Sequence, residues 1–268
     1  MAIIDEYTRY KISWKWNRGQ HLEAKLTQDE GQELLKRGGF FVRNAYNFDC
    51  NKETSFWYII KDSFNGMEDV PSKYRNRVRK SLEKYEFKIV SKSFAIEKCF
   101  ETHKAAAKNY KIKTKIPTKK QFDDYIKSLD KTYDIWVGID KESGCVAGLA
   151  INHVVDDMCD YDRMKFHPDF LKPVSPSYGL IYCMNEYYLV KKGLGYVSEG
   201  ARSITEHSEI QSFLVTKFKF RKAYCQVQMF YKWWLRIVIN VLFPFRSNIK
   251  AVSIKAMLNM EEIARNSH

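Results

Sequence analysis

The stretch YDIWVGIDKESGCVAGLAINHVV, residues 133–155, decides the fold. Tyr133, Ile135, Val137 and Ile139 alternate with Asp134, Trp136, Gly138 and Asp140, which is the period of a half-buried strand. Lys141–Gly144 reads as a turn and Val146–Val155 as a second strand, so the pair predicts an antiparallel hairpin. A third strand is expected over Cys159–Phe166. Ser175-Pro176 then opens a helix, with a capping hydroxyl ahead of proline at the first helical position. That helix is expected to reach Lys192, with Gly193 just past its end. Tyr196–Glu199 reads as a short strand. Ser203–Glu206 has capping-box spacing, and Ile210, Phe213, Leu214 and Phe218 give the following helix its apolar stripe. Ala223–Tyr231 alternates as a last strand. From Tyr133 the order is therefore β-β-β-α-β-α-β.

Upstream, Thr27–Arg37 predicts a helix capped by Thr27 and stopped by Gly38-Gly39. Strands are expected at Phe40–Tyr46 and Ser55–Lys61, and a helix from Asp69 through Tyr85. A short strand at Phe87–Ser91 precedes helices at about Ala95–Tyr110 and Thr118–Leu129. Composition shifts at Lys131, which predicts three regions: 1–131, 132–231 and a C-terminal helical extension, 232–268. The class is α/β (α+β), a mixed and largely antiparallel twisted sheet flanked by helices.

With 268 residues, 45% of them hydrophobic, the chain can bury one large core or two modest ones. The net charge of +13 is concentrated: residues 71–92 carry +6 and residues 217–268 carry +8, leaving the remainder near neutral. Such segments suit an anionic partner, or are solvated helix faces. The six cysteines form no C-x-x-C pair and read as reduced thiols; with MAIIDEYTRY lacking a secretory pattern, the expected location is cytoplasmic. The histidines have no metal-ligand spacing, so no metal is expected. The apolar run from Trp233 to Phe245 is too short to span a bilayer. Its narrow polar stripe of Lys232, Arg236 and Asn240 fits a helix packed on the core, or one lying on a membrane surface through 232–245.

Two stretches carry a family resemblance. Trp57-Tyr-Ile-Ile-Lys61 followed by Ser72-Lys-Tyr-Arg-Asn-Arg-Val-Arg-Lys80 resembles the strand and basic helix that open the FemABX-like branch of the GNAT superfamily. Glu199-Gly-Ala-Arg-Ser203, His207, and Phe213-Leu214 with Phe218-Lys-Phe-Arg221 are similar to the later part of that fold. The resemblance implies a GNAT-like sheet splayed between its central strands, with an acyl donor in the cleft. It implies an acyltransferase that moves an acetyl or acyl group from acyl-CoA to an amine or hydroxyl of a small-molecule or cell-envelope-precursor acceptor. FemABX-like proteins also permit aminoacyl transfer from aminoacyl-tRNA, and a non-catalytic basic protein that binds membrane or nucleic acid is the third reading.

Under that resemblance the donor's amides would bond to an exposed strand edge at Val146–Val155, with Leu149, Ala150 and Ile151 as the donor-binding residues. The residues after Val155, DDMCDYD at 156–162, lack the glycine loop that holds a pyrophosphate at a helix N-terminus. Acyl transfer needs a base, and Glu199 and His207 flank the expected strand-to-helix junction. Arg202 between them suits an anion, as do Arg75 and Arg79 at i, i+4 on the basic helix. Each also has a plain structural role open to it: a strand end, an ion pair, a first-turn histidine, a solvated face.

Overall fold

The hairpin forms as expected: β6 (Tyr133–Asp140) and β7 (Val146–Val155) pair antiparallel, with Ile135 opposite Ile151 and Val137 opposite Leu149. The computed structural model describes residues 3–108, 116–202 and 209–267. The chain divides into two compact units, one made of residues 60–200 and 211–220, the other of 1–59, 201–210 and 221–268. This is not the division expected at 131/132 and 231/232. The reason is pairing: the last strand returns to the N-terminal strands, so both ends of the chain build one unit.

In the 60–200 unit, α2 (Ser72–Lys84) runs straight into β5 (Tyr85–Val90), which pairs with β6. β8 (Met158–Phe166) lies antiparallel on the other side of β7, and β9 (Tyr196–Ala201) lies parallel to β8, giving the order β9-β8-β7-β6-β5. Alternation puts Ile135, Val137, Leu149 and Ile151 on one face. There they pack with Ala95, Cys99, Phe122 and Ile126 from α3 (Lys92–Lys98), α4 (Phe100–Lys108) and α5 (Lys119–Ser128). One helix was expected over Ala95–Tyr110; it is broken at the buried Cys99, and Ser91 caps the first piece by accepting from the Phe94 amide. Thr118 caps α5 with a full capping box.

The opposite face is covered by α6 (Pro176–Asn185), capped by Ser175. The expected helix to Lys192 is reached only by a change of winding, since 186–191 forms a π turn in which the Lys192 amide donates to Tyr187 O at 2.8 Å. The wide turn seats Tyr188 fully inside the unit. Its hydroxyl accepts from Trp136 Nε1 at 2.9 Å and Asn152 Nδ2 at 3.3 Å, and donates to Asp134 Oδ2 at 3.0 Å. A hydroxyl has one donor and two acceptor positions, so this one is saturated.

In the other unit, β1 (Tyr7–Tyr10) and β2 (Ser13–Trp16) form a hairpin, β2 runs parallel to β3 (Phe41–Tyr46), and β10 (Arg221–Tyr231) pairs antiparallel with β3. β4 (Phe56–Lys61) follows β10 in the strand order. Successive residues of β10 serve opposite faces. Phe230 packs with Leu34 and Leu35 of α1 (Gln28–Arg37), and Tyr231 packs with Leu235 and Ile239 of α8 (Trp233–Leu242) and Leu258 of α9 (Val252–Arg265). A buried polar cluster ties β1 to β3: Tyr7 donates to Glu23 Oε1 at 2.9 Å, and the Asn44 amide and Ala45 N–H converge on the same carboxylate. Burial pushes the Glu23 pKa up to about 7. β1 and β2 were not foreseen. The two strands are four residues each, too short for their alternation to stand out.

Candidate functional site

In the 60–200 unit, β8 and β9 are in parallel register for three pairs only, Met158–Tyr196, Cys159–Val197 and Asp160–Ser198. β8 continues to Phe166 and stays paired with β7 along its other side, ending with Phe166 opposite Gly148. Alternate backbone groups of Tyr161–Phe166 therefore point toward the side that β9 has left. The sheet opens here, one strand later in sequence than expected.

This corrects the donor-strand assignment. β7 is an interior strand: Leu149 lies between Val137 and Lys165, Ala150 between Trp136 and Met164, and Ile151 between Ile135 and Arg163. Its ladders use the backbone groups on both sides, and all three side chains are buried. Leu149, Ala150 and Ile151 build the core and have no amide to offer a ligand. The signal was present in the sequence, since Asp162-Arg-Met-Lys165 breaks the apolar pattern of β8 where its neighbour departs.

Glu199 follows the last residue of β9 that pairs with β8. Ser198 is buried opposite Asp160, and its hydroxyl accepts from the Gly200 amide at 3.0 Å. Gly200 has φ +101°, which a side-chain-bearing residue adopts only with strain, so glycine is what turns the chain away at this point. Oε2 of Glu199 is buried and has no hydrogen-bond partner among the described residues. Gln211, on α7 (Glu209–Phe218), bonds to the carboxyl group. Burial pushes the Glu199 pKa up to about 7; the Gln211 bond opposes the rise and the Asp160 charge adds to it. His207, the other base candidate, and the Ser203 cap lie outside the described residues.

The cationic candidates are placed differently. Arg202 belongs to the other unit. Its N–H donates to Trp57 O at 2.8 Å, its guanidinium donates to Ser55 O, and the same group lies 4.6 Å from the Trp57 ring centroid. Those contacts bind it to the start of β4. In α2, Arg75 Nε donates to Val70 O at 2.9 Å, holding the approach to its own helix, while Arg79 is exposed. Arg77, not singled out from sequence, donates to Tyr178 Oη at 3.1 Å and lies beside the Tyr74 and Tyr178 rings. The i, i+4 pattern drew notice to 75 and 79, whereas the face of α2 that meets α6 is set by Tyr74, Val78 and Ser81.

The start of α6 is where a pyrophosphate would rest on free amides. Two of those amides are already engaged. Pro176 has none, Ser177 N donates to Ser175 Oγ at 3.3 Å, and Gly179 N donates to Ser81 Oγ at 3.0 Å. Ser81 Oγ in turn donates to Ser175 O at 2.9 Å. A Cβ on Gly179 would come within 2.2 Å of the Phe87 ring, so this glycine serves close helix-to-sheet packing. The residues present do not form a cradle for the pyrophosphate of CoA. Among the described residues, no group of three or more His, Cys, Asp or Glu could hold a metal ion.

No protein-family model matches the sequence, and no curated protein matches it. Solved structures do. The crystal structure of FemX matches with a TM-score of 0.54 at 11% identity, over 83% of this chain and 72% of that one. The C-terminal domain (DUF2156) of a putative lysylphosphatidylglycerol synthetase from Agrobacterium fabrum matches with a TM-score of 0.56 at 11% identity, over 88% and 84% of the two chains. Together with the largely antiparallel sheet that opens beside its one parallel pair in the 60–200 unit, these likenesses show that the chain shares the fold of FemX and of the DUF2156 domain.

Proposed function

We propose that this chain is an acyltransferase that moves an acyl or aminoacyl group from an anionic donor to an amine or hydroxyl of a small-molecule or cell-envelope-precursor acceptor, with Glu199 as general base. The observation that carries the reading is the Glu199 carboxyl, buried where β9 leaves β8, with its pKa pushed up to about 7. A base serves best when its pKa lies near the working pH, and Glu199 fits that requirement. In the reaction it takes the proton as the acceptor nitrogen or oxygen bonds to the donor's carbonyl carbon. The tetrahedral intermediate then collapses, and the donor's ester or thioester bond breaks. The backbone groups of Tyr161–Phe166 on the open side of β8 are the fitting place for the donor's carbonyl oxygen.

Between the two donors that the resemblance implies, the engaged first turn of α6 favours aminoacyl-tRNA over acyl-CoA. The exposed cations of α2, among them Lys73, Arg77, Arg79 and Lys80, suit contacts to a phosphate backbone.

The test offers purified protein radiolabelled aminoacyl-tRNA or labelled acetyl-CoA, each with a panel of amines and amino-sugar precursors. Transfer should depend on pH with a midpoint near 7, and Glu199→Gln should lower the rate by about 10²- to 10⁴-fold. Transfer that proceeds unchanged in the Glu199→Gln variant removes the assignment. Turnover with acetyl-CoA alone reverses the choice of donor.

A further inference from the structure

α8 is amphipathic in an unusual sense, because it is apolar on both sides. Leu235 and Ile239 point into the core with Tyr231 and Leu258. On the outward side Trp233, Ile237 and Val241 recur at i, i+4 and i+8, and Phe245 extends the row into the next turn. They are 76%, 55%, 61% and 60% exposed. Trp234 and Val238 widen this ridge, and Trp234 meets the exposed Phe40 ring edge-on at 5.6 Å. In water so much contiguous apolar surface marks an interaction site.

The charge around the ridge identifies its partner. Residues 232–260 contain five Lys and Arg and no Asp or Glu. Arg246 is paired with Glu262, while Lys232 and Arg236 stand on α8 or at its start and Lys250 and Lys255 flank the start of α9. We infer that α8 and the following turn lie flat on an anionic lipid bilayer, with the ridge in the headgroup–acyl boundary and the lysines and arginines among the headgroups. Tryptophan and phenylalanine on an exposed helix face, with cations at the margin, match that boundary. A second copy of the chain fits less well, since a symmetric contact would oppose one cationic helix with another.

The helix does not insert across the bilayer. No single helix among the described residues is long and apolar enough to cross a membrane, and the pair Trp233–Asn248 and Val252–Arg265 is bent by 104°. Leu235, Ile239, Leu258 and Ile263 are buried, which keeps both helices on the surface of their unit. This inference is independent of the acyl-transfer reading.

The test is co-sedimentation of the whole protein with sucrose-loaded vesicles of phosphatidylcholine alone, or with one third phosphatidylglycerol. The anionic vesicles should bind at least tenfold more tightly, and binding should fall as NaCl is raised from 50 to 500 mM. Ile237→Glu with Val241→Glu should lower the partition coefficient roughly hundredfold, because both apolar contacts are lost and two anions are added. Both positions are exposed, and an unchanged circular dichroism melt verifies the fold of the variant. Lys232→Gln with Arg236→Gln should weaken binding about fivefold per charge on anionic vesicles only. The inference is overturned by absence of binding at millimolar lipid, by equal affinity for the two vesicle types, or by indifference to the Ile237/Val241 pair. A concentration-dependent dimer in light scattering, abolished by that pair with no lipid binding, assigns the ridge to self-association instead.

Discussion

Replacing Glu199 with glutamine should make the protein more stable at alkaline pH. Burial holds the native carboxyl's pKa at about 7 against an ordinary 4.5. Between those values the native chain retains a proton that the unfolded chain has released, so stability falls as pH rises through this window. The contribution is present in full below pH 4.5 and gone above 7. Its size, from the displacement of the pKa, is about 3 kcal/mol. Glutamine has nearly the same shape, can still bond to Gln211, and carries no charge to desolvate. Urea unfolding of wild type and Glu199→Gln should therefore give equal stability near pH 4.5 and a difference of about 3 kcal/mol favouring the variant at pH 8. Glu23, in the other unit, is also held near 7 and gives the wild type a second pH-dependent term. It is common to both proteins and cancels in the difference. A variant no more stable than wild type at pH 8 would refute the claim that the ionised carboxylate is strained by its surroundings, and with it the physical ground for a base at this position.

Other expectations follow from particular contacts. Tyr188→Phe leaves Trp136 Nε1 without its acceptor inside the unit and Asn152 Nδ2 with the weak acceptor Met184 Sδ, and should cost about 2–3 kcal/mol by denaturant titration. Gly179→Ala drives a methyl group to within 2.2 Å of Phe87 and should lower stability by about 3 kcal/mol, seen as a fall in Tm of several degrees. Phe87→Leu in the same chain should recover part of that loss, because the clash is with the ring. Arg79→Ala, on an exposed face, should leave the melt unchanged and reduce the salt dependence of tRNA affinity by about one phosphate contact.

The elements legible in the sequence were those whose burial follows one period over many residues. The hairpin at 133–155 and the capping box at Thr27 are of this kind, because alternation and cap chemistry act locally. What escaped was decided by distant partners. Whether β7 is an edge or an interior strand depends on β8 pairing along its free side, and where the sheet opens depends on where β9 leaves β8; no local pattern in VAGLAINHVV records either. The π turn at 186–191 is dictated by the hydroxyl of Tyr188 reaching Trp136, Asn152 and Asp134, again a matter of tertiary contact. Glu199 was picked out because it flanks the expected strand-to-helix junction, which is locally visible. Its raised pKa was not, since the burial that causes it depends on how the folded chain packs around the carboxyl, with the Gln211 bond opposing and the Asp160 charge adding. Arg77 was passed over because its role depends on which face of α2 meets α6.

The discontinuous unit sets an order of events during synthesis. A ribosome delivers residues 1–59 first, yet β3 has its antiparallel partner only when β10 emerges, with Tyr46 waiting for Gln226. The strand set of residues 60–200, by contrast, is complete once β9 has left the exit tunnel, so that unit can close its hairpins while the tail is still being made. Until then the nascent N-terminal segment holds Val42, Leu34 and Leu35 without Phe230, the residue that completes their cluster. An interval with an unpaired strand edge and an unfinished apolar face is one in which a chaperone has something to hold.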